Sequence, residues 1–500
     1  MIGQSEFEGL IALFNVGTTT AEKDPLLEKA QIRTQEFYDL WQDRIDIVRG
    51  IKGAGKTALY RVWNMLGEHL ATEDKLFCIF GVESSGDPVF RHFKKSFSQF
   101  SSNEFENFWT LYFLTLIRDK INTDPILQTI VKNSDDADSL NSLWTKLHIS
   151  DGQQRTLMSV VGGIIRLFEK TDSVTGGISI TGSPNGLLSI RPELACTFNK
   201  SANDMSEPPY VGDIRNTLCT LLKKSRFRIW VMLDRLDEVF PRNTDEETNG
   251  LKGLLKAVYN LSHDELRIKI FLRDDIVSQL ASGGFTALTH VMDRASDPMR
   301  WDREKLLLLI VKRVFAHVQI ASHFAVDIAK LDNDPAYRSE CFYRVFPHKI
   351  GKLETFDWIL NMLADGSNIV TPRDTIDLLN MAKGIEYKKF QHNKGNREHL
   401  LSVDSMREAL EELSVQKRKN YLEAEFPHMW NNIEKLQDGH SIHNGQSLEL
   451  LYGQDWKRVV DDFISIGLLK HDPKKAYYRV PKLYMKGLRI TQGKSFAGQK

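Results

Sequence analysis

Cysteine is scarce in these 500 residues: Cys78, Cys196, Cys219 and Cys341 are the only four, and they are scattered, mostly in apolar stretches. No C-x-x-C pair exists, so neither a zinc motif nor a dithiol redox motif is present, and the pattern fits reduced core thiols. Net charge is missing too, with 66 Lys plus Arg against 66 Asp plus Glu. A neutral total leaves only local patches to attract nucleic acid. No apolar run approaches the roughly 20 residues of a membrane span. The opening MIGQSEFEGLIALFNVG has acidic rather than basic flanks, unlike a secretory signal. Together these absences predict a cytoplasmic protein without a membrane partner. The chain also shows no Ser-His or Cys-His catalytic site and no carboxylate and lysine spacing suited to a nuclease.

What is present points to several domains, because 500 residues exceed one ordinary core. The most specific feature is GIKGAGKT at Gly50 to Thr57, which completes the pattern G-x-x-x-x-G-K-[ST] directly after the apolar Ile45, Ile47 and Val48. Leu59, Val62, Trp63, Leu66 and Leu70 follow at helical spacing, so the loop joins a strand to a helix. Glycines let the backbone turn its N–H groups inward around phosphates, at a helix N-terminus that favours negative charge. Gly50, Ile51, Lys52, Gly53, Ala54, Gly55, Lys56, Thr57 and Ala58 are therefore the expected nucleotide-binding residues. Lys56 is placed for the β- and γ-phosphates and Thr57 for magnesium, which makes ATP and Mg2+ the expected ligands.

A triphosphatase also needs an acidic strand end and a carboxylate that activates water. FRIWVMLDRLDEVF at 227 to 240 offers both. Five successive apolar residues before Asp234 predict a buried central strand, with Asp234 at its carboxyl end as the magnesium-associated aspartate. Asp237 and Glu238 follow closely, and either is a candidate for polarising the attacking water. Lys56 and Asp234 are 178 positions apart. That is more than a small nucleotide domain needs, so the spacing predicts an inserted segment at about 84–215.

The pattern of an apolar run followed by Asp, x, Leu, Asp and Glu resembles the NACHT and STAND signal-transduction NTPases and is similar to their KAP and AAA+ relatives. It is most similar to bacterial stand-alone P-loop ATPases, many found in phage-defence gene clusters. Arg235 departs from the NACHT pattern, which usually carries a small residue there. The resemblance implies an additional central strand between the loop strand and the acidic strand, and an ATP-driven switch that is often oligomeric. It also implies sensor residues. Arg273, at the end of LRIKIFLRDDI, stands where such ATPases place a polar sensor, and Arg373, beside Pro372 at a helix start, stands where they place a second sensor. Arg373 can instead pair with Asp374 or Asp377. One of Arg294, Arg300 and Arg303 is a candidate finger reaching a neighbour's γ-phosphate.

The expected fold is thus α/β, a P-loop NTPase core with an additional central strand and a helical insertion, then a helical lid and a C-terminal winged-helix domain. The boundaries are 1–43 for a leader packing on the nucleotide site, 44–300 for the core, 301–398 for the lid and 399–500 for the winged helix. In the leader, within the stretch 17 to 41, Leu27, Ile32, Phe37 and Leu40 suit an amphipathic helix. In the insertion, Pro184-Asn185-Gly186 signals a hairpin within 176 to 194. Near the end, 447 to 469 reads as one helix and AYYRVPKLYMKGLRI as paired strands. The last 31 residues are lopsidedly basic, with Tyr477, Tyr478 and Tyr484 interleaved. The implied activity is that of an ATPase acting as a regulatory switch, a homo-oligomer or the controller of a separate effector protein in anti-phage defence. The alternative is a DNA-binding initiator or loader, with nucleic acid on the basic C-terminal domain.

Overall fold

Runs of branched and aromatic residues make the parallel sheet that organises half of this chain. The computed structural model describes residues 1–81, 97, 100–146, 161–162, 164–165, 171–182, 188–198, 211–236, 239–240, 244–282 and 288–495. They divide into two compact units. One comprises Thr34–Ile51 and Leu59–Met299, the other Met1–Arg33, Lys52–Ala58 and Arg300–Lys500.

The sheet unit contains β1 (Ile47–Gly50), β2 (Leu76–Phe80), β3 (Thr171–Gly182), β4 (Leu188–Phe198), β5 (Arg228–Leu233) and β6 (Leu266–Arg273). Four of these form a parallel sheet in the order β1-β6-β5-β2. β5 and β6 are almost continuously buried, as strands covered on both faces must be. β6 lies between β1 and β5, which is the additional central strand that the resemblance implies. Beyond β1 the edge is extended by parallel bridges from Ala295 to Ile47 and from Met299 to Gly50. β3 and β4 pair antiparallel from Thr171 opposite Phe198 to Gly182 opposite Leu188, a longer hairpin than its sequence signal predicts; the turn residues 184–186 lie outside the described residues.

Two helices, Ser102–Thr123 and Asp245–Leu261, cross at very close range beside the sheet. The first is started by a capping box between Ser101 and Glu104. Gly253 allows the approach: a Cβ there would stand 2.5 Å from the Phe105 Cβ and 2.6 Å from the Glu106 nitrogen. The Trp109 indole N–H donates to the Gly250 carbonyl at 2.9 Å, so the crossing is also hydrogen-bonded. At the other end of β1 lies a knot of buried charge. Lys269, fully buried, donates to Asp43 (2.5 Å), to Asp46 (2.7 Å) and to the Ile45 carbonyl (2.7 Å), while Arg294 clamps the same two aspartates. Burial pulls the Lys269 ammonium below its ordinary pKa, and the two aspartates oppose that pull.

The other unit is mainly helical. Helices Arg303–Val314, Pro335–Val345, Thr355–Leu363 and Pro372–His392 share one core with the N-terminal helix Gln4–Leu13, whose Phe7 ring packs 4.8 Å from that of Phe390. Arg313 ties the leader down, donating to the Val16 carbonyl at 2.7 Å and to Asp24 at 2.6 Å. Of the helix expected to carry Leu27, Ile32, Phe37 and Leu40, only the second part forms. Asp24-Pro25 sets a turn instead, and only Gln35–Trp41, which groups with the sheet unit, is α-helical.

The C-terminal part runs through helix Val403–Lys417, a π-helical turn Arg418–Glu423, helix Pro427–Glu434, a strand His440–His443, helices Gly445–Tyr452 and Trp456–Ser465, and the hairpin strands Lys470–Asp472 and Tyr477–Arg479. The helix expected across 447 to 469 is two, broken at Gly453, whose φ of 70° leaves the helical region. The expected strand pair after Ala476 is also shifted. Its second member begins at Pro481 as the short helix Lys482–Met485, and the hairpin forms upstream between Lys470 and Arg479. Among the described residues no helix is long and apolar enough to cross a membrane.

Candidate nucleotide-phosphate site

In the sheet unit, register brings the sequence-predicted residues to one end of neighbouring strands. Ile270 in β6 lies opposite Ile47 of β1 and Leu233 of β5, and three residues on, Gly50 lies opposite Arg273. Asp234 follows Leu233 directly, so Gly50, Arg273 and Asp234 sit at or just past the carboxyl ends of three adjacent strands, where α/β sheets bind their ligands. Asp234 is half-buried, and Arg235 beside it adopts φ 59°, a left-handed turn unusual for a side-chain-bearing residue. Arg273 is buried, and its guanidinium donates to both carboxylate oxygens of Asp275, at 3.0 and 2.8 Å. Asp237 and Glu238 lie outside the described residues.

The phosphate loop straddles the division of the chain: Gly50 and Ile51 group with the sheet, Lys52 to Ala58 with the helical unit. Gly53 and Gly55 have φ of 88° and 101°, which only glycine adopts without strain, and Lys56 and Thr57 open helix Lys56–Glu73. Three contacts hold the loop within the helical unit. The Trp301 indole N–H donates to the Ala54 carbonyl at 2.7 Å, Lys52 forms an ion pair with Glu425, and Gly53 lies against the start of helix Pro372–His392. A Cβ at Gly53 would come 3.1 Å from the Arg373 Cβ and 3.3 Å from the Thr371 hydroxyl, so Arg373 does stand beside the loop.

Arg373 reaches that place because Thr371 caps the helix, accepting from the Asp374 amide at 3.1 Å, with Pro372 at the first helical position. Asp374, one of the two acids offered as its alternative partner, is occupied otherwise: it accepts from the Thr371 hydroxyl at 2.9 Å and pairs with Lys417 at 2.9 Å. Arg373 makes no ion pair among the described residues. Asp377 is pushed up to about 6 by burial and by the Asp374 charge, with Arg373 and Lys417 acting against the rise. Of the candidate fingers, Arg294 is committed to Asp43 and Asp46, and Arg303 to Asp357. Arg300 is exposed.

Sequence reading missed Trp301, Lys417 and Glu425, none of which belongs to a local pattern. Thr371 was missed as well, although a threonine directly before a proline at a helix start is a capping signal. The basic C-terminal segment also changes on inspection. Tyr484 is buried in the core, Arg489 is paired with Asp438 and Lys486 with Glu411, whereas Lys470, Lys474, Lys475, Arg479 and Lys482 are exposed along and just after the hairpin. Of the cysteines, Cys219 is buried and burial pushes its thiol up to about 12, as expected of an inert core thiol. Cys219, His263 and Glu265 place one sulfur, one nitrogen and one oxygen donor atom within 4.8 Å of one another, the one such group among the described residues.

No family model matches this chain. Among curated proteins it is 24% identical over 397 residues to the "Putative transposon gamma-delta 80.3 kDa protein" of Escherichia coli K12, a match covering 78% of this chain and 48% of that protein. The chain thus spans about half the length of that relative. Among solved structures it is similar to a Walker-type ATPase of Pyrococcus abyssi, at 11% identity and a TM-score of 0.38 over 96% of this chain and 100% of that one. It is also similar to the ORC2 protein of Aeropyrum pernix solved as ADPNP–ADP complexes (12%, TM-score 0.32, 97% and 92% covered). The ORC1 protein of the same organism, solved with DNA, is a further likeness (10%, TM-score 0.31, 93% and 92% covered). The strand order and the loop conformation, not these distant likenesses, carry the assignments that follow.

Proposed function

We propose that this chain binds Mg·ATP on Gly50 to Ala58 and hydrolyses it, and that the nucleotide state works as a switch. The observation that carries the reading is the loop itself: two glycines at positive φ between a parallel strand and a helix that opens on Lys56 and Thr57. Such a loop turns several N–H groups toward one anion. Lys56 would hold the β- and γ-phosphate oxygens. The Thr57 hydroxyl and the Asp234 carboxylate are hard oxygen donors of the kind magnesium takes, and the ion would supply neutralisation of charge on the β- and γ-phosphates. Asp237 or Glu238 would take the proton of the attacking water as the bond from the γ-phosphorus to the bridging oxygen breaks. Arg273 and Arg373 would respond to the presence of the γ-phosphate.

In this reading 44–300 is the nucleotide core, 301–398 a helical lid and 399–500 a winged helix, with 1–43 as leader. The order helix, strand, helix, helix, two-stranded hairpin after Pro427 supports the winged helix. A regulator of a separate effector in phage defence, acting as an oligomer, is the finer reading drawn from the STAND-like motifs. The initiator or loader reading is favoured by one feature, the exposed Lys470, Lys474, Lys475, Arg479 and Lys482 of the hairpin region, which suit backbone phosphates and not base edges.

The test is ATP turnover with and without duplex DNA for the wild type, Lys56→Ala and Glu238→Gln, with native mass measured in ATP and in ADP. Turnover should fall on the order of a hundredfold or more in Lys56→Ala. Turnover intact in that variant would overturn the reading, and turnover stimulated by DNA and lost at high salt would favour the loader over the defence switch.

A further inference from the structure

The phosphate loop contains a second lysine, Lys52, that the proposed chemistry does not use. Its ammonium is held by Glu425, a residue 373 positions away in the segment between the π-helical turn Arg418–Glu423 and helix Pro427–Glu434. Neither side chain is loose, with 31% and 18% of each exposed. The same segment is anchored a second time. Lys417, the last residue of its helix, pairs with Asp374, which is nearly buried and adjoins Arg373 in the helix start that backs Gly53. Lys417 in turn lies 4.7 Å from the centre of the Tyr421 ring. The loop and the helix start beside it are therefore both gripped by one stretch, 417 to 425, through charge pairs.

We infer that Glu425 is a positioning residue that restrains nucleotide affinity: it occupies Lys52, withdraws that cation from the triphosphate, and couples the loop to the 417 to 425 stretch. Glu425 and a triphosphate are two anions that compete for one ammonium. Whatever moves 417 to 425 away frees Lys52 for phosphate, and nucleotide binding loosens the grip on 425 by the same factor, since coupling of two binding equilibria is reciprocal. One ammonium freed to act on a multiply charged ligand within about 10 Å in a partly aqueous setting alters affinity by about fivefold, and salt reduces the effect. The effect should be greater for ATP than for ADP, which carries less charge.

This inference rests on the reading of Gly50 to Ala58 as a triphosphate site, and the experiment separates the two. Binding of ATP and of ADP to the full chain is measured by calorimetry at low and high salt for the wild type, Glu425→Gln, Lys52→Gln, the double variant and the exchanged pair Lys52→Glu with Glu425→Lys, with thermal unfolding followed in parallel. Glu425→Gln should bind ATP about fivefold tighter at low salt, with a smaller gain for ADP and at high salt, and the gain should vanish in the Lys52→Gln background. Lys52→Gln reports on the pair from the loop side if Glu425→Gln folds poorly. No nucleotide binding by the folded wild type would overturn the site itself. Binding by the wild type with an unchanged or weaker ATP affinity in Glu425→Gln, or a gain that persists without Lys52, would overturn the role of Glu425 alone.

Discussion

The two units place their chemistry in different ways. In the sheet unit, Gly50, Asp234 and Arg273 reach their positions by strand register: each ends or follows an apolar run, and pairing of Ile270 with Ile47 and Leu233 aligns the ends. In the helical unit, Lys52 pairs with Glu425 and Gly53 lies against Arg373, each across more than 300 positions, while Lys417 pairs with Asp374 beside them. Register is enforced by the burial of whole strands, since a slip by one residue would turn every side chain to the opposite face. A paired charge is enforced only by its partner. The first kind of site should resist change of conditions, and the second should respond to it.

The sharpest test of the first half is the buried charge at Lys269, within the sheet itself. Replacing Lys269 with Met leaves Asp43 and Asp46 buried against fewer cations, and the expected loss is about 3 to 5 kcal/mol in denaturant unfolding. A loss below about 1 kcal/mol would show that Arg294 and Arg267, which pair with the same two aspartates, suffice to neutralise the knot. Smaller, and purely steric, is Gly253→Ala. Its new Cβ would meet the backbone of Glu106 at 2.6 Å, so helix Ser102–Thr123 must shift, at about 1 to 3 kcal/mol. Equal stability of the variant would mean that the helix crossing yields freely.

The third test belongs to the helical unit. The Asp377 carboxyl, pushed up to about 6 from an ordinary 3.8, binds its proton more tightly in the folded than in the unfolded chain. The stabilisation that follows is fully present below about pH 4 and is lost as pH rises through about 6. Asp377→Asn should flatten that slope and raise stability above pH 7 by on the order of 1 kcal/mol, read from denaturant midpoints at pH 4, 5, 6 and 7.5. An unchanged slope would place the titration elsewhere.

These differences explain how much of the molecule could be read from its residues. The loop and the acidic strand were legible, because a buried parallel strand writes itself as an unbroken apolar run and phosphate loops need glycine at set spacings, whereas the extra strand between them, interrupted by Arg267 and Lys269, was expected only from the resemblance. The start of helix Pro372–His392 was legible through Pro372. Element ends without such chemistry were not. The leader helix begins only at Gln35, after a turn over 25–30, Gly453 broke another expected helix, and the C-terminal hairpin sits several residues upstream of its expected place. Tyr484, read as part of a basic aromatic face, is core, since period alone does not tell which side of a short element meets neighbours from distant sequence.

By itself, then, the sequence determined the phosphate loop and its bond to a strand and a helix, for the required conformations are written in glycine, lysine and threonine at adjacent positions. Only tertiary structure decided that Arg273 lies level with Gly50, that Arg373 backs Gly53, and that Glu425 holds Lys52. Those relations depend on which strands pair and which helices pack, and the free energy that selects them is gathered from the whole core, so no window of neighbouring residues contains it.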